Sequence, residues 1–118
     1  MKIAFTSTGP GWDSIIDARF GRTNYIVMYD EESHELSAVD NSAVKDVGHG
    51  AGTATAQKIY DLKPDVLITG NGPGETASKA LRYLKMRVFV EAHDMTLGQA
   101  YEQYKLNRLK QVLLISSE

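Results

Sequence analysis

Two short motifs concentrate the residue types able to do chemistry: Arg19-Phe20-Gly21-Arg22 near the start of the chain and His49-Gly50-Ala51-Gly52 at its middle. Each stands where a strand hands over to a loop or helix. The guanidinium groups of Arg19 and Arg22 bring fixed positive charge and bidentate donors, and an imidazole between glycines approaches a ligand with little steric screening. An anionic or metal-containing ligand suits both motifs. Arg19, Phe20, Gly21, Arg22, Gly50 and Gly52 are therefore candidate contacts, and His49 is the candidate metal ligand. Taken singly, Phe20 and the glycines read as turn and packing residues and each arginine as a solvated charge; it is the combination that points to a site.

A second glycine-rich turn, Gly70-Asn71-Gly72-Pro73-Gly74-Glu75, follows a strand and opens a helix, where free backbone N–H groups and the helix dipole favour anions. Asn71 and Gly72 join the candidates on that ground. The turn is not a nucleotide fingerprint: it lacks the Gly-Lys-Ser/Thr ending of a P-loop, Pro73 removes a donor, and Glu75 puts negative charge at the helix start. His34 falls in a hairpin turn and His93 in a turn beside Asp94, so the histidines form no zinc spacing. Asp13, Asp17, Asp30, Asp40, Asp65 and Asp94 read as turn and cap residues more readily than as a two-metal centre. No Gly-x-Ser-x-Gly elbow supports a serine nucleophile.

The elements that must position these residues follow from periodicity. Residues 3–6 form a first strand that feeds the turn formers Ser7-Thr8-Gly9-Pro10-Gly11. Tyr25-Ile26-Val27-Met28-Tyr29 and Leu36-Ser37-Ala38-Val39-Asp40 flank a polar hexapeptide and read as an antiparallel hairpin. From Gly52 the period changes to helical, with Ala56, Ile59, Tyr60 and Leu62 on one face until Lys63-Pro64 forces an exit. A strand at Val66-Leu67-Ile68-Thr69 leads to a helix with Ala77, Ala80, Leu81 and Leu84 aligned, then a strand at Val88-Phe89-Val90. A capping box at Thr96 and Gln99 opens a last helix carrying Leu97, Ala100, Tyr101 and Tyr104. This order predicts an α/β fold with helices on both faces of a mixed sheet of about five strands. Residues 1–104 form the domain; the apolar tail, residues 105–118, extends the last helix, packs on the sheet edge, or docks on a partner or a second copy of the chain.

With 118 residues the chain makes one domain with a real core. Thirteen basic against fifteen acidic residues, a formal charge of −2 and no basic run, give no reason to expect nucleic acid or an anionic membrane as partner. The absence of cysteine excludes disulfides and thiolate-ligated clusters supplied by this chain. With no signal region and no apolar run near the ~20 residues of a membrane span, the expectation is a cytoplasmic protein.

The chain resembles the dinitrogenase iron-molybdenum cofactor biosynthesis family, which includes the cofactor carriers of nitrogenase assembly. The resemblance rests on Lys2-Ile3-Ala4-Phe5, Asp17-Ala18-Arg19-Phe20-Gly21-Arg22 before the strand at Tyr25, Asn41, His49-Gly50-Ala51-Gly52, Asp65-Val66-Leu67-Ile68-Thr69-Gly70 and Gly72-Pro73-Gly74. It implies a ribonuclease-H-like three-layer α/β/α fold around a five-stranded mixed sheet. It also implies a non-enzymatic carrier that binds an iron-sulfur or iron-molybdenum-sulfur cluster as cargo and meets a cluster donor and an acceptor. Several relatives carry cysteines near these motifs and this chain has none, so imidazole, guanidinium and backbone would hold the cargo, and transiently. Two other functions stay open at this stage: a small-anion or nucleotide binding module with a regulatory role, and a metal-dependent hydrolase on the implied nuclease-like fold.

Overall fold

The computed structural model describes residues 1–45, 48 and 50–114. Its elements are β1 (Lys2–Ser7), β2 (Tyr25–Asp30), β3 (Glu35–Asp40), α1 (Ser42–Lys45), α2 (Ala51–Leu62), β4 (Val66–Ile68), α3 (Glu75–Leu81), β5 (Arg87–Val90), α4 (Leu97–Lys105) and β6 (Lys110–Val112). The strands form one sheet in the order β3-β2-β1-β4-β5-β6. β1, β4 and β5 run parallel, β2 is antiparallel to β1 and β3, and β6 is antiparallel to β5.

Side chains alternate across the sheet because the strand period is two. Ala4, Ile26, Met28, Leu67, Val88 and Val90 point to one face and are covered by Ala56 and Ile59 of α2 and Ala77 and Leu81 of α3. Ile3, Phe5, Val27, Val66, Ile68 and Phe89 point to the other, under Leu97 and Ala100 of α4. The three layers expected from the sequence are present. Lys63 ends α2 at a φ of 49°, its N–H donating to the carbonyls of Ile59 and Tyr60, and Pro64 follows. The capping box is formed as read: Thr96 Oγ1 accepts from the Gln99 N–H at 3.1 Å and Gln99 Oε1 accepts from the Thr96 N–H at 2.9 Å.

The sheet has six strands, not five. After α4, Asn107 adopts a φ of 58° and turns the chain back, so that Lys110, Gln111 and Val112 pair with Val90, Phe89 and Val88. Three residues are too short to show a period, which is why this strand reads as tail in the sequence. Leu109 packs on the α4 face, and Val112 and Leu114 pack on the face of α2 and α3. Among the described residues no helix is long and apolar enough to cross a membrane.

Candidate functional site

The carboxyl ends of β1, β4 and β5, the start of β2 and the end of β3 lie at one end of the sheet, since Ser7 pairs with Tyr25 and Tyr25 with Asp40. From β1 the chain leaves toward the β2–β3 edge, and from β4 toward β5 and β6. The seam between β1 and β4 is thus a topological switch point, where open α/β sheets place ligands. Every loop that carries a candidate residue opens at this end.

Asp17 lies in the first of these loops and is 3% exposed. Its N–H donates to the Thr6 carbonyl at 2.9 Å, which ties the loop to the end of β1. Its carboxylate accepts from the Arg19 N–H at 3.0 Å, from Arg19 Nε at 3.1 Å and Nη2 at 3.2 Å, and from the Asn24 N–H at 3.1 Å. A buried carboxylate needs such a donor set to be tolerated. Arg19 is consequently bent back onto Asp17, and the hydrogen bond to that carboxylate, then its charge, raise the guanidinium pKa against the opposing effect of burial. Phe20 is turned into the core on the face of α2 and α3, where it anchors the loop.

The loop is fitted against its neighbours by glycine. A Cβ at Gly21 would stand 2.9 Å from the Cα and N of Gly52, and one at Gly70 would stand 2.6 Å from the Ala18 Cα. Backbone therefore lies on backbone at both contacts, and the Asn71 N–H donates to the Ala18 carbonyl at 2.8 Å. Residues 17–22, the start of α2 and the turn after β4 form one continuous rim. Beneath it, Thr55 Oγ1 donates to the Gly21 carbonyl at 2.6 Å, and Asn41 Nδ2 donates to Thr55 Oγ1 and the Thr23 carbonyl, each at 3.0 Å. Asn41 Oδ1 is buried and has no partner among the described residues.

Among the described residues, two clefts open on this rim. One, of about 390 Å³, lies between the starts of α2 and α3 and is lined by Gly50, Gly52, Thr53, Gly74, Glu75 and Ala77. The other, of about 380 Å³, lies between Asn71, Gly72 and Pro73 on one side and Val90, Glu91 and Leu114 on the other. Gly50, at a φ of 79°, turns the chain into α2 and bears no side-chain cap.

Arg19, Gly21, Gly50, Gly52, Asn71 and Gly72 are thus gathered at one sheet end, and Arg22 lies on the same loop as Arg19. His49 lies outside the described residues, between Gly48 and Gly50. His34 is exposed in the hairpin turn at the opposite end, its Nδ1 3.2 Å from the Tyr29 hydroxyl. Among the described residues no three His, Cys, Asp or Glu side chains gather as a metal would require. Asp17, which the sequence presents as a turn residue, and Thr55, which carries no local signal, organise the rim together with Asn41.

The sequence profile of the family described as "Dinitrogenase iron-molybdenum cofactor" matches residues 1–107. No curated protein matches the chain. The apo form of the orange protein from Desulfovibrio gigas is similar in structure, with a TM-score of 0.86, 32% identity, and 94% of this chain and 92% of that one covered. A NifB-like protein from Thermotoga is similar with a TM-score of 0.80 and 25% identity, over 99% of this chain and 97% of that one.

Proposed function

The chain belongs to the dinitrogenase iron-molybdenum cofactor family, and from that premise we propose that it is a non-catalytic carrier of an anionic iron-sulfur or iron-molybdenum-sulfur cluster. The observation that carries this reading is the rim, in which backbone contacts at Gly21–Gly52 and Gly70–Ala18 hold three candidate loops together over the β1–β4 seam. The family name and the apo description of the orange protein support it. Arg19 and Arg22 supply positive charge and N–H donors to cluster sulfides. His49 supplies a neutral ring nitrogen to iron or molybdenum, and Gly50, Gly52, Asn71 and Gly72 let the backbone approach. Phe20 holds the arginine loop from below. With no cysteine thiolates the grip is electrostatic plus one imidazole, which suits cargo that is received from a donor protein and passed to an acceptor. The strand order β3-β2-β1-β4-β5 with an antiparallel β2 supports the ribonuclease-H-like assignment for the fold that presents the site.

The test is an anaerobic titration with isolated iron-molybdenum-sulfur cofactor or its iron-sulfur precursor, read as metal retained after gel filtration. Stoichiometric retention that is lost in His49→Ala is the expected result. No retention by either protein overturns the carrier reading, and thermal stabilisation by inorganic phosphate or nucleotide alone would replace it with a small-anion module.

A further inference from the structure

The face of the sheet under α4 carries a run of oxidisable rings that the rim does not use. Residues 8–16 leave β1 at Ser7, fold over this face, and return to it, the Thr8 N–H donating to the Ile15 carbonyl at 3.0 Å. At the middle of this excursion the Trp12 ring lies edge-on to Tyr29 with centroids 4.9 Å apart, and 5.7 Å from Tyr101. Tyr29 and Tyr101 are 5.3 Å apart, and Tyr104 stacks on Tyr101 at 6.3 Å. The rings are in contact from a loop that ends at Asp17 to Tyr104 near the end of α4, which packs on Phe89 of the sheet. Packing alone would account for that contiguity.

It does not account for the hydroxyl groups. Tyr101 donates to Glu31 Oε2 at 2.5 Å, an acceptor brought from the β2–β3 turn, distant in sequence from α4. The Tyr29 hydroxyl sits 3.2 Å from His34 Nδ1. Two of the phenols touching Trp12 therefore each have a base in hydrogen-bond reach, the arrangement required when a phenol is to lose an electron and a proton together. Burial, then the Glu31 hydrogen bond and charge, push the Tyr101 pKa up, which favours the proton staying on the phenol until the ring is oxidised. The chain has no cysteine to intercept the oxidising equivalent.

We infer that Trp12, Tyr29 and Tyr101 form an electron-hole conduit that ends in a proton-coupled tyrosine, Tyr101 with Glu31. A one-electron oxidant of the high-valent or photo-oxidised metal class takes an electron from the Trp12 indole and is itself reduced by one electron. The Tyr101 phenol then gives an electron to the indole radical cation, directly or through Tyr29, while its proton crosses to the Glu31 carboxylate. Trp12 is restored, and the products are a neutral phenoxyl radical and a neutral carboxylic acid. The oxidant is not the proposed cargo, since the potentials of iron-sulfur clusters lie below that at which an indole is oxidised. The conduit itself is tested without any cargo.

The experiment is flash-quench oxidation of the full chain by photogenerated tris(bipyridine)ruthenium(III), with transient absorption and freeze-quench EPR as readouts. The wild-type protein is expected to form an indole radical that decays into a phenoxyl with a solvent deuterium isotope effect. Glu31→Gln is expected to slow phenoxyl formation at least about tenfold, Trp12→Phe to remove the indole precursor, and Tyr101→Phe to lose most of the phenoxyl. Tyr83, 73% exposed and outside the ring contacts, is the control: Tyr83→Phe must leave the signal unchanged. Near-ultraviolet circular dichroism verifies that each variant keeps the ring packing. Wild-type rate and yield in Glu31→Gln and Tyr101→Phe, or a phenoxyl abolished by Tyr83→Phe, overturns the inference.

Discussion

The hydroxyl oxygens of Thr6 and Thr69 stand 2.7 Å apart across the seam between β1 and β4, one step beyond the Phe5–Ile68 pair of the parallel ladder. Thr6 Oγ1 also lies 3.1 Å from the Asp17 carbonyl, and Thr69 Oγ1 lies 2.9 Å from the Asn71 carbonyl. Two hydroxyl protons thus serve three contacts, and the pair ties both loops of the rim to the sheet. Thr69→Val keeps the shape but removes a buried hydroxyl, leaving the part-buried Asn71 carbonyl without this donor and Thr6 Oγ1 without its partner. A loss of about 1–3 kcal/mol is expected, read as a lower midpoint in urea denaturation with an unchanged slope.

Glycine is required at the rim for a reason that distinguishes its positions. Gly21→Ala drives a methyl group to 2.9 Å from Gly52 backbone and Gly70→Ala drives one to 2.6 Å from Ala18, where only backbone can yield. Each is expected to cost about 1–3 kcal/mol. At Gly11 and Gly48 a Cβ meets nothing within 4 Å, so alanine there should leave the thermal midpoint unchanged. Equal effects at all four positions would show that the close approach does not matter.

Asp17 and Arg19 are unequal partners. The carboxylate is 5% exposed and the guanidinium side chain 52% exposed. Arg19→Ala leaves Asp17 still accepting from two backbone N–H groups and removes an exposed partner, a loss expected to stay below about 1 kcal/mol. Asp17→Asn puts an amide among donors that need an acceptor, and should cost about 2–3 kcal/mol. Chemical denaturation of the two variants decides the order.

Cargo affinity should fall on acidification. A protonated imidazole has no lone pair for a metal, and its reference pKa is about 6.5, so retention carried by His49 weakens as pH falls through that region. Metal retained after gel filtration across that range should decline in the wild-type protein, while His49→Ala should be low throughout. A flat wild-type profile would remove the imidazole from the ligand set.

Local rules reach only part of this arrangement. The hairpin, the α4 capping box and the apolar runs of β1, β4 and β5 are short-range patterns, and the sequence carries them openly. The rim is long-range. Asn41 and Thr55 meet through the packing of α2 on the sheet, which no spacing announces, and Asp17 looks like a turn residue because it is one, its Oδ1 accepting from the Arg19 N–H two residues on. Its place is set by Thr6, whose carbonyl accepts from the Asp17 N–H and whose hydroxyl lies against the Asp17 carbonyl, a contact across eleven residues. Phe20 reads as a possible ligand contact through its place between Arg19 and Arg22, whereas taken singly it reads as a packing residue; its ring lies in the core. The sixth strand escapes for want of length, and Asn107, a residue type that tolerates left-handed backbone, is the one local sign of the turn that makes it.

The Tyr101–Glu31 bond makes stability depend on alkaline pH. Burial, then the hydrogen bond and charge of Glu31, hold the folded-state pKa of Tyr101 above its ordinary value of 10.0. A group whose folded pKa is raised contributes its stability fully below the unfolded value and loses it as pH rises toward the folded one. Above pH 10.0 the unfolded chain has released this proton and the folded chain has kept it, so the unfolded state binds fewer protons and stability falls with rising pH. Tyr101→Phe has no proton to lose and should show a shallower decline above that pH in denaturation midpoints. Glu31→Gln should do so partially, since burial, the largest cause, remains. Parallel curves for wild type and Tyr101→Phe would mean that the phenol ionises alike in both states, and that Glu31 does not hold its proton.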